Sequence, residues 1–400
     1  MIIIYNIIIH VYILLIRINS LINTKSKKWV KGREKIFKNL KTNLNNEKNI
    51  VWFHCASLGE YEQARQLIIS VKKQDFSIKI LLTFFSPSGY EIVKKNSEAN
   101  WVFYLPSDTL NNAKKFISIV KPKKVFFIKS EFWFNYMEII NRNNIPLYHI
   151  SSVFTKKSIL LRLRFCTNLL RKSTHFFVQN NNSLKLLNSI DIKNVTVVGD
   201  SRVDSILSDL NKYKKNTKLI KFTSNKPTII FGSVWPEDEH IYLDFIKAHE
   251  DYNYIIAPHD IRYSQQILNK TTSILYSYFI KKSEIKENVL IIDNIGILKY
   301  LYQYCKIAYV GGGFGKGIHN ISEAAACGTP VIFGPNYLKF IEAHDLIKLK
   351  SARKITNLQE FKDAIISFIP SYEKDMAINY FKKRESAVDK IIEIIFSQSN

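Results

Sequence analysis

Four cysteines in 400 residues, at positions 55, 166, 305 and 327, are scattered and follow no metal-ligand spacing. Three sit in or beside apolar runs, where a free thiol packs as a small hydrophobe, so a reducing, cytosolic setting is expected for the folded part. Acidic residues are also scarce: 34 against 58 basic ones, a formal net charge of +24. Such an excess suggests a polyanionic partner, although part of the lysine in a chain this rich in Lys, Ile and Asn is simply solvated surface. No zinc-finger spacing, arginine-rich helix or aromatic ribonucleoprotein motif is present, so no nucleic-acid partner is expected. A phosphorylated substrate and an anionic membrane face remain. No G-x-G-x-x-G follows an early strand with an acidic residue about 20 positions later, which argues against a dehydrogenase.

What the chain does have begins at its N-terminus. Residues 2–16 are nearly all apolar, and extension past Arg17 to Leu21 and Ile22 gives about the ~20 residues a spanning helix needs. No basic segment precedes the run and no small-residue cleavage site follows it, so a cleaved signal peptide is not expected. A basic stretch, Lys25, Lys27, Lys28, Lys31, Arg33, Lys35, Lys38 and Lys41, comes next. It would hold that side cytoplasmic and attract anionic lipid. Residues 1–24 therefore read as a membrane anchor, with a buried helix of the first domain as the alternative.

From residue 50 onward apolar strands alternate with helical stretches. Strands are predicted at 50–54, 78–85, 125–128, 147–150 and 176–178, then at 228–231, 254–257, 289–292, 307–310 and 331–333. Unbroken apolar strands separated by helices indicate parallel sheets covered on both faces. A polar interval at 205–226 separates the two series. The expected architecture is α/β: a first doubly wound, Rossmann-like domain over 25–204, a linker at 205–226, and a second over 227–371. A helical segment at 372–400 would pack back on the junction. Ligands in such sheets bind beyond the carboxyl ends of the strands.

Residues 309–335 carry the most chemistry. An apolar strand runs into five glycines within seven positions (Gly311, Gly312, Gly313, Gly315, Gly317), followed by His319-Asn320-Ile321-Ser322-Glu323 and Gly328-Thr329-Pro330. Glycines after a strand let a ligand approach the backbone, and a following helix start favours a phosphate. Asn320 can cap a helix starting there, and Glu323 in its first turn can accept hydrogen bonds from sugar hydroxyls. The segment reads as a pocket for a sugar nucleotide.

Several further segments occur in a fixed order with it: His54-Cys55-Ala56-Ser57-Leu58-Gly59-Glu60, Thr83 to Gly89, Tyr104 to Asp108, Lys129 to Asn135, Gly199-Asp200-Ser201-Arg202-Val203-Asp204, and Pro258 to Tyr263. Together they make the chain resemble the 3-deoxy-D-manno-octulosonic acid (Kdo) transferases over roughly residues 30–350. The resemblance implies an inverting transferase of the two-domain GT-B fold, acting without a metal or other cofactor. It implies CMP-Kdo as donor and a phosphorylated lipid A precursor (lipid IV-A) as acceptor in lipopolysaccharide biosynthesis. The setting implied is the cell inner membrane, with the catalytic domains on the cytoplasmic side.

The same resemblance assigns roles. Glu60 corresponds to the general base, although Ser57-Leu58-Gly59-Glu60 also fits an S-x-x-E capping box. Arg202 stands where the family has a transition-state-stabilising lysine. The family's second stabiliser, a glutamate, aligns with Lys129, so neighbouring Glu131 is a substitute candidate. The CMP site carries over to Pro258 and His259, to Ile295, Gly296 and Ile297, and to Asn320, Ile321, Ser322 and Glu323. The family usually has arginine at 259 and glutamate at 297. Ser233 and Glu237, at another strand-to-helix junction, are expected to help hold donor or acceptor. The alternatives are another membrane-associated nucleotide-sugar enzyme, an epimerase included, and a non-catalytic membrane-tethered binding protein.

Overall fold

Strands such as Val51-Trp52-Phe53 are apolar on both faces, and a sheet built from them must be covered on both sides. The computed structural model of the chain, which describes residues 2–95, 97–371 and 373–396, contains two such sheets. The chain divides into two units: residues up to Ser205 together with those from Arg384 onward, and Ile206–Lys383.

The first unit holds seven parallel strands: β1 (Ile50–Cys55), β2 (Lys79–Phe84), β3 (Trp101–Tyr104), β4 (Lys124–Ile128), β5 (Leu147–Ser152), β6 (His175–Val178) and β7 (Val195–Val197). They lie in the order β3-β2-β1-β4-β5-β6-β7. Alternate residues of β1 enter opposite cores. Trp52 packs with Phe116 and Tyr136 on one face, while Val51 and Phe53 pack with Leu67 and Ile391 on the other. Ile391 belongs to the helix Ala387–Phe396, so the end of the chain completes the first unit's core.

The second unit repeats the scheme with β8 (Thr228–Val234), β9 (Asn253–Pro258), β10 (Ser273–Leu275), β11 (Val289–Ile291), β12 (Ile307–Val310), β13 (Val331–Phe333) and β14 (Ala352–Lys354). These too are parallel, in the order β10-β11-β9-β8-β12-β13-β14. In each sheet the winding direction reverses between two adjacent strands, β1 and β4 in one and β8 and β12 in the other. The loops after those strands diverge and leave a crevice beyond their carboxyl ends.

The polar interval 205–226 carries most of the helix Arg202–Lys212 and all of the helix Thr217–Ser224, which is capped by Asn216. The helical pattern after 372 resolves into Lys374–Lys382 in the second unit and Ala387–Phe396 in the first, parted by Ser386 at φ +85°. Tyr372 and residues 397–400 of that expected segment, and Met1 of the expected anchor, lie outside the described residues.

Several of the motif segments hold the first unit together. The Arg33 guanidinium donates to the carbonyls of Trp29, Phe85 and Leu105 and lies 3.8 Å over the Trp29 ring. Burial lowers its pKa to about 9, and three carbonyls with the indole face compensate part of that cost. Asp108 accepts from the backbone N–H groups of Asn135 and Tyr136, capping the helix Phe134–Arg142.

Candidate active site

At the winding reversal of the first unit, β1 leads into Ser57 and Glu60, and β4 leads into Lys129 and Glu131. Ser57 is the N-cap of the helix Leu58–Gln74, and its N–H and hydroxyl both donate to Glu60 Oε2, at 3.0 and 2.5 Å. That reciprocal box fixes Glu60 and leaves Oε1 with Lys129, whose Nζ is 3.8 Å away. The Glu60 side chain is 14% exposed and Lys129 42%. Lys129 holds φ +65°, and Ser152 donates to its carbonyl at 2.7 Å.

Glu131 is engaged differently. Trp133 Nε1 donates both to Glu131 Oε2 (2.8 Å) and to His54 Nε2 (2.9 Å). On its other side His54 Nδ1 meets Thr83 Oγ1 at 2.9 Å, and Thr83 also accepts from Trp52 Nε1. Every bond is satisfied if His54 carries its proton on Nδ1 and Thr83 donates to the Phe53 carbonyl. Cys55, at the end of β1, has its thiol pKa pushed well up by burial, then by Glu60 and Glu131. It is a packed thiol beside two carboxylates, with no nucleophile's environment.

The 199–204 segment is tied to the Glu60 helix one turn further on. Gln63 donates to Asp200 Oδ1 at 2.9 Å, and Ser201 donates to the Gln63 carbonyl at 2.7 Å. Arg202 opens the next helix, its own N–H held by Asp200. Asp204 instead accepts from the N–H groups of Ser386 and Val388 and so seats the C-terminal helix. Burial raises its pKa to about 6.

In the second unit the reversal falls between β8 and β12. Gly312 holds φ +88°, and a Cβ on Gly313 would lie 2.6 Å from Gly334, so the backbone comes as close as the sequence suggests. Buried Asp238 organises this turn. It accepts from the Trp235 N–H (2.8 Å), the Gly312 N–H (3.1 Å) and the Tyr309 hydroxyl (2.6 Å). Ser233 is strained at φ +54°, its carbonyl lying where a Cβ on Gly311 would sit, while Glu237 is exposed.

Pro258 ends β9, and His259 donates its N–H to the Val234 carbonyl. Its ring stacks at 4.3 Å on His319 and at 4.6 Å on Trp235. Trp235 Nε1 donates to His319 Nε2 at 2.7 Å, which places the His319 proton on Nδ1. Burial lowers the His319 pKa to about 4 and lowers that of His259, so both rings are neutral near pH 7. Position 259 thus offers a hydrogen-bonding ring where arginine would offer a permanent charge.

The helix after the glycine run starts at Ser322, two residues later than the sequence pattern suggests. Asn320 nevertheless accepts from the Ser322 N–H at 3.1 Å and donates to Glu323 Oε1 at 3.0 Å, and Ile321 is buried between them. The three-residue turn Ile295-Gly296-Ile297 leads into the helix Leu298–Leu301. Leu298 and Tyr302 border Gly232 at the end of β8, and Gly296 has φ +96°.

The fold therefore assembles Glu60, Lys129 and Glu131 around one strand reversal, and Ser233, His259 and the 319–323 segment around the other. Ile295 is left exposed at the surface, not packed into that second group. Sequence reasoning missed Asp238, Trp235 and His319. Their signal was the unusual Trp235-Pro236-Glu237-Asp238 directly after a strand, and a histidine closing the glycine run. Among the described residues no three His, Cys, Asp or Glu side chains converge as a metal site.

Two parallel doubly wound units of this kind make up the GT-B architecture. Residues 31–205 match the family described as 3-deoxy-D-manno-octulosonic-acid transferase (kdotransferase). Similarity to curated proteins extends further. The chain is 26% identical to the 3-deoxy-D-manno-octulosonic acid transferase of Rickettsia bellii over 406 aligned positions, 96% of each chain. It is 27% identical to the same-named protein of Aquifex aeolicus, covering 78% of this chain and 83% of that one. Among solved structures, UDP-GlcNAc 2-epimerase from Neisseria meningitidis bound to UDP-GlcNAc superposes with a TM-score of 0.61. At 17% identity, with 87% of this chain and 100% of that one covered, the likeness shows the fold alone.

Proposed function

We propose that the protein transfers Kdo with inversion from CMP-Kdo to a phosphorylated lipid A precursor, lipid IV-A, in lipopolysaccharide biosynthesis. The observation that carries this reading is the Glu60 carboxylate. It is immobilised by Ser57 at the strand reversal of a unit that matches the Kdo transferase family. In the proposed step Glu60 Oε1 takes the proton of the acceptor hydroxyl as that oxygen attacks the anomeric carbon, and CMP leaves. Arg202 stabilises the developing negative charge, while Lys129 offers its ammonium to an anionic acceptor. Glu131, held by Trp133, orients His54 and contributes shape more than charge.

The donor is assigned to the second unit. The Gly311–Gly317 turn and the N–H groups near Ser322 would receive the phosphate, with His259 as a hydrogen-bond partner. Glu323 would take the ribose hydroxyls, and Pro258 and Ile295-Gly296-Ile297 would line the nucleotide through backbone and apolar contacts. The reaction is proposed to need no metal or other cofactor. The enzyme would act at the cytoplasmic side of the inner membrane, where both the acceptor and the basic N-terminal flank belong.

The test is incubation of purified protein with CMP-Kdo and lipid IV-A, followed by mass spectrometry of the lipid. A mass increase of one or more Kdo units is expected. No increase, or turnover of a UDP-sugar in its place, would overturn the reading.

A further inference from the structure

Trp235 and His319 meet edge to edge in the second unit. Trp235 Nε1 lies 2.7 Å from His319 Nε2, the ring planes differ by 15°, and the centroids are 6.2 Å apart. His259 lies over the seam between them, nearly parallel to both rings. An indole N–H can only donate, so Nε2 must present a lone pair and the imidazole proton sits on Nδ1. The tautomer of His319 is thus chosen by a neighbour.

That neighbour and the backbone under the ring are themselves fixed. Asp238 Oδ2 accepts from the N–H of Trp235 at 2.8 Å and from the N–H of Gly312 at 3.1 Å. A Cβ on Gly312 would lie 3.1 Å from His319 Cδ2 and 3.2 Å from Nε2, so this edge of the imidazole rests on the glycine. The His319 N–H donates to the Gly311 carbonyl. Nδ1 belongs to the opposite edge of the ring. His319 is half-buried, and no hydrogen bond joins its Nδ1 to another described residue.

The glycine turn beside it supplies space more than donors. The N–H groups of Gly311, Gly315 and Gly317 are spent on the carbonyls of Gly232 and Gly312, and that of Gly312 on Asp238. An anion entering the turn therefore needs a side-chain donor, and bonds from N–H to a charged oxygen are the strong ones. We propose that His319 is a donor-binding residue whose Nδ1–H donates to a phosphate oxygen of the bound nucleotide, with Trp235 as the positioning residue that holds this tautomer. The inference rests on the assignment of the sugar nucleotide to the second unit made above. Loss of the Nδ1 proton would leave an imidazolate, because the indole cannot pass its own proton to Nε2. His319 accordingly serves as a hydrogen-bond donor and not as a general acid.

The test uses the full chain with isotope-labelled histidine, and CMP as the ligand. Proton–nitrogen spectra near neutral pH should show one ring, absent in His319→Phe, as the pure Nδ1–H tautomer, with its Nδ1 resonance moving when CMP is added. Trp235→Phe keeps an aromatic ring but removes the indole N–H, and the same imidazole should then report exchange between tautomers. If the freed ring spends about a fifth to a half of its time in the competent form, CMP affinity falls about two- to fivefold. His319→Phe should weaken CMP binding by about 10–100-fold, the worth of one hydrogen bond to a charged group. His319→Asn, whose amide nitrogen can take the place of Nδ1, should recover most of that loss. Cytidine, which lacks the phosphate, should bind wild type and His319→Phe alike. An Nε2–H tautomer in the wild type, unchanged CMP affinity in His319→Phe, or an equal loss for cytidine would overturn the inference and leave the donor assignment standing. Failure of the wild type to bind CMP would overturn both.

Discussion

At the scale of single residues, Glu60 serves two ends with two oxygens, one closing the capping box and one facing Lys129. Glu60→Gln keeps a capping-box side chain but removes the base. Transfer should fall by about 10²–10⁴-fold with the melting temperature nearly unchanged, measured by turnover and thermal unfolding. Near-normal turnover would refute the assignment. Lys129→Glu, which restores the residue usual in the family, would set a second carboxylate beside Glu60. Like charges raise the pKa of one of them, so the acid limb of the kcat/KM profile should move to higher pH. An unmoved limb would place Lys129 away from the working carboxylate. The capping box of Glu60 was legible because its spacing from Ser57 declares it. The partners of Asp238 were not legible: Tyr309 and Gly312 are more than 70 positions away, and no local pattern links them to it.

At the scale of elements, the central strands were readable and the edges were not. All five strands predicted in each half recur in the structure, whereas β3, β7, β10 and β14 were missed. Those four are the outermost strands of the two sheets, and each is only three or four residues long. An edge strand has one paired side, so its apolar run is short and resembles a loop. The glycine turn shows the reverse case, with a legible sequence but an invisible support. Asp238→Ala would strip the Trp235, Gly312 and Tyr309 groups of their shared acceptor. A stability loss of about 1–3 kcal/mol for each donor left unpaired in the second unit and a marked rise in donor KM are expected, by denaturation and kinetics. Wild-type donor KM in a folded variant would remove Asp238 from the site.

For the whole molecule, a buried histidine contributes to the response to acid. His149, stacked on Phe176 and bonded to Ser173, is held neutral by burial, its pKa lowered from 6.5 to about 3. The unfolded chain binds the extra proton in that window, so this contribution is complete above pH ~6.5 and lost as the pH falls toward 3. Between pH 7 and pH 4 it should cost about 3 kcal/mol, at ~1.4 kcal/mol per pKa unit. His149→Phe should flatten that slope in urea unfolding of the first unit; an equal slope would assign the acid sensitivity elsewhere. By itself the sequence determined the two parallel α/β series, the motif order and the apolar N-terminus, because these depend on local periodicity and on backbone chemistry at fixed spacing. Only the tertiary structure decided which neighbours hold each carboxylate and that the chain's last helix completes the first unit. Those outcomes depend on contacts between residues distant in sequence, and one-dimensional spacing carries no trace of them.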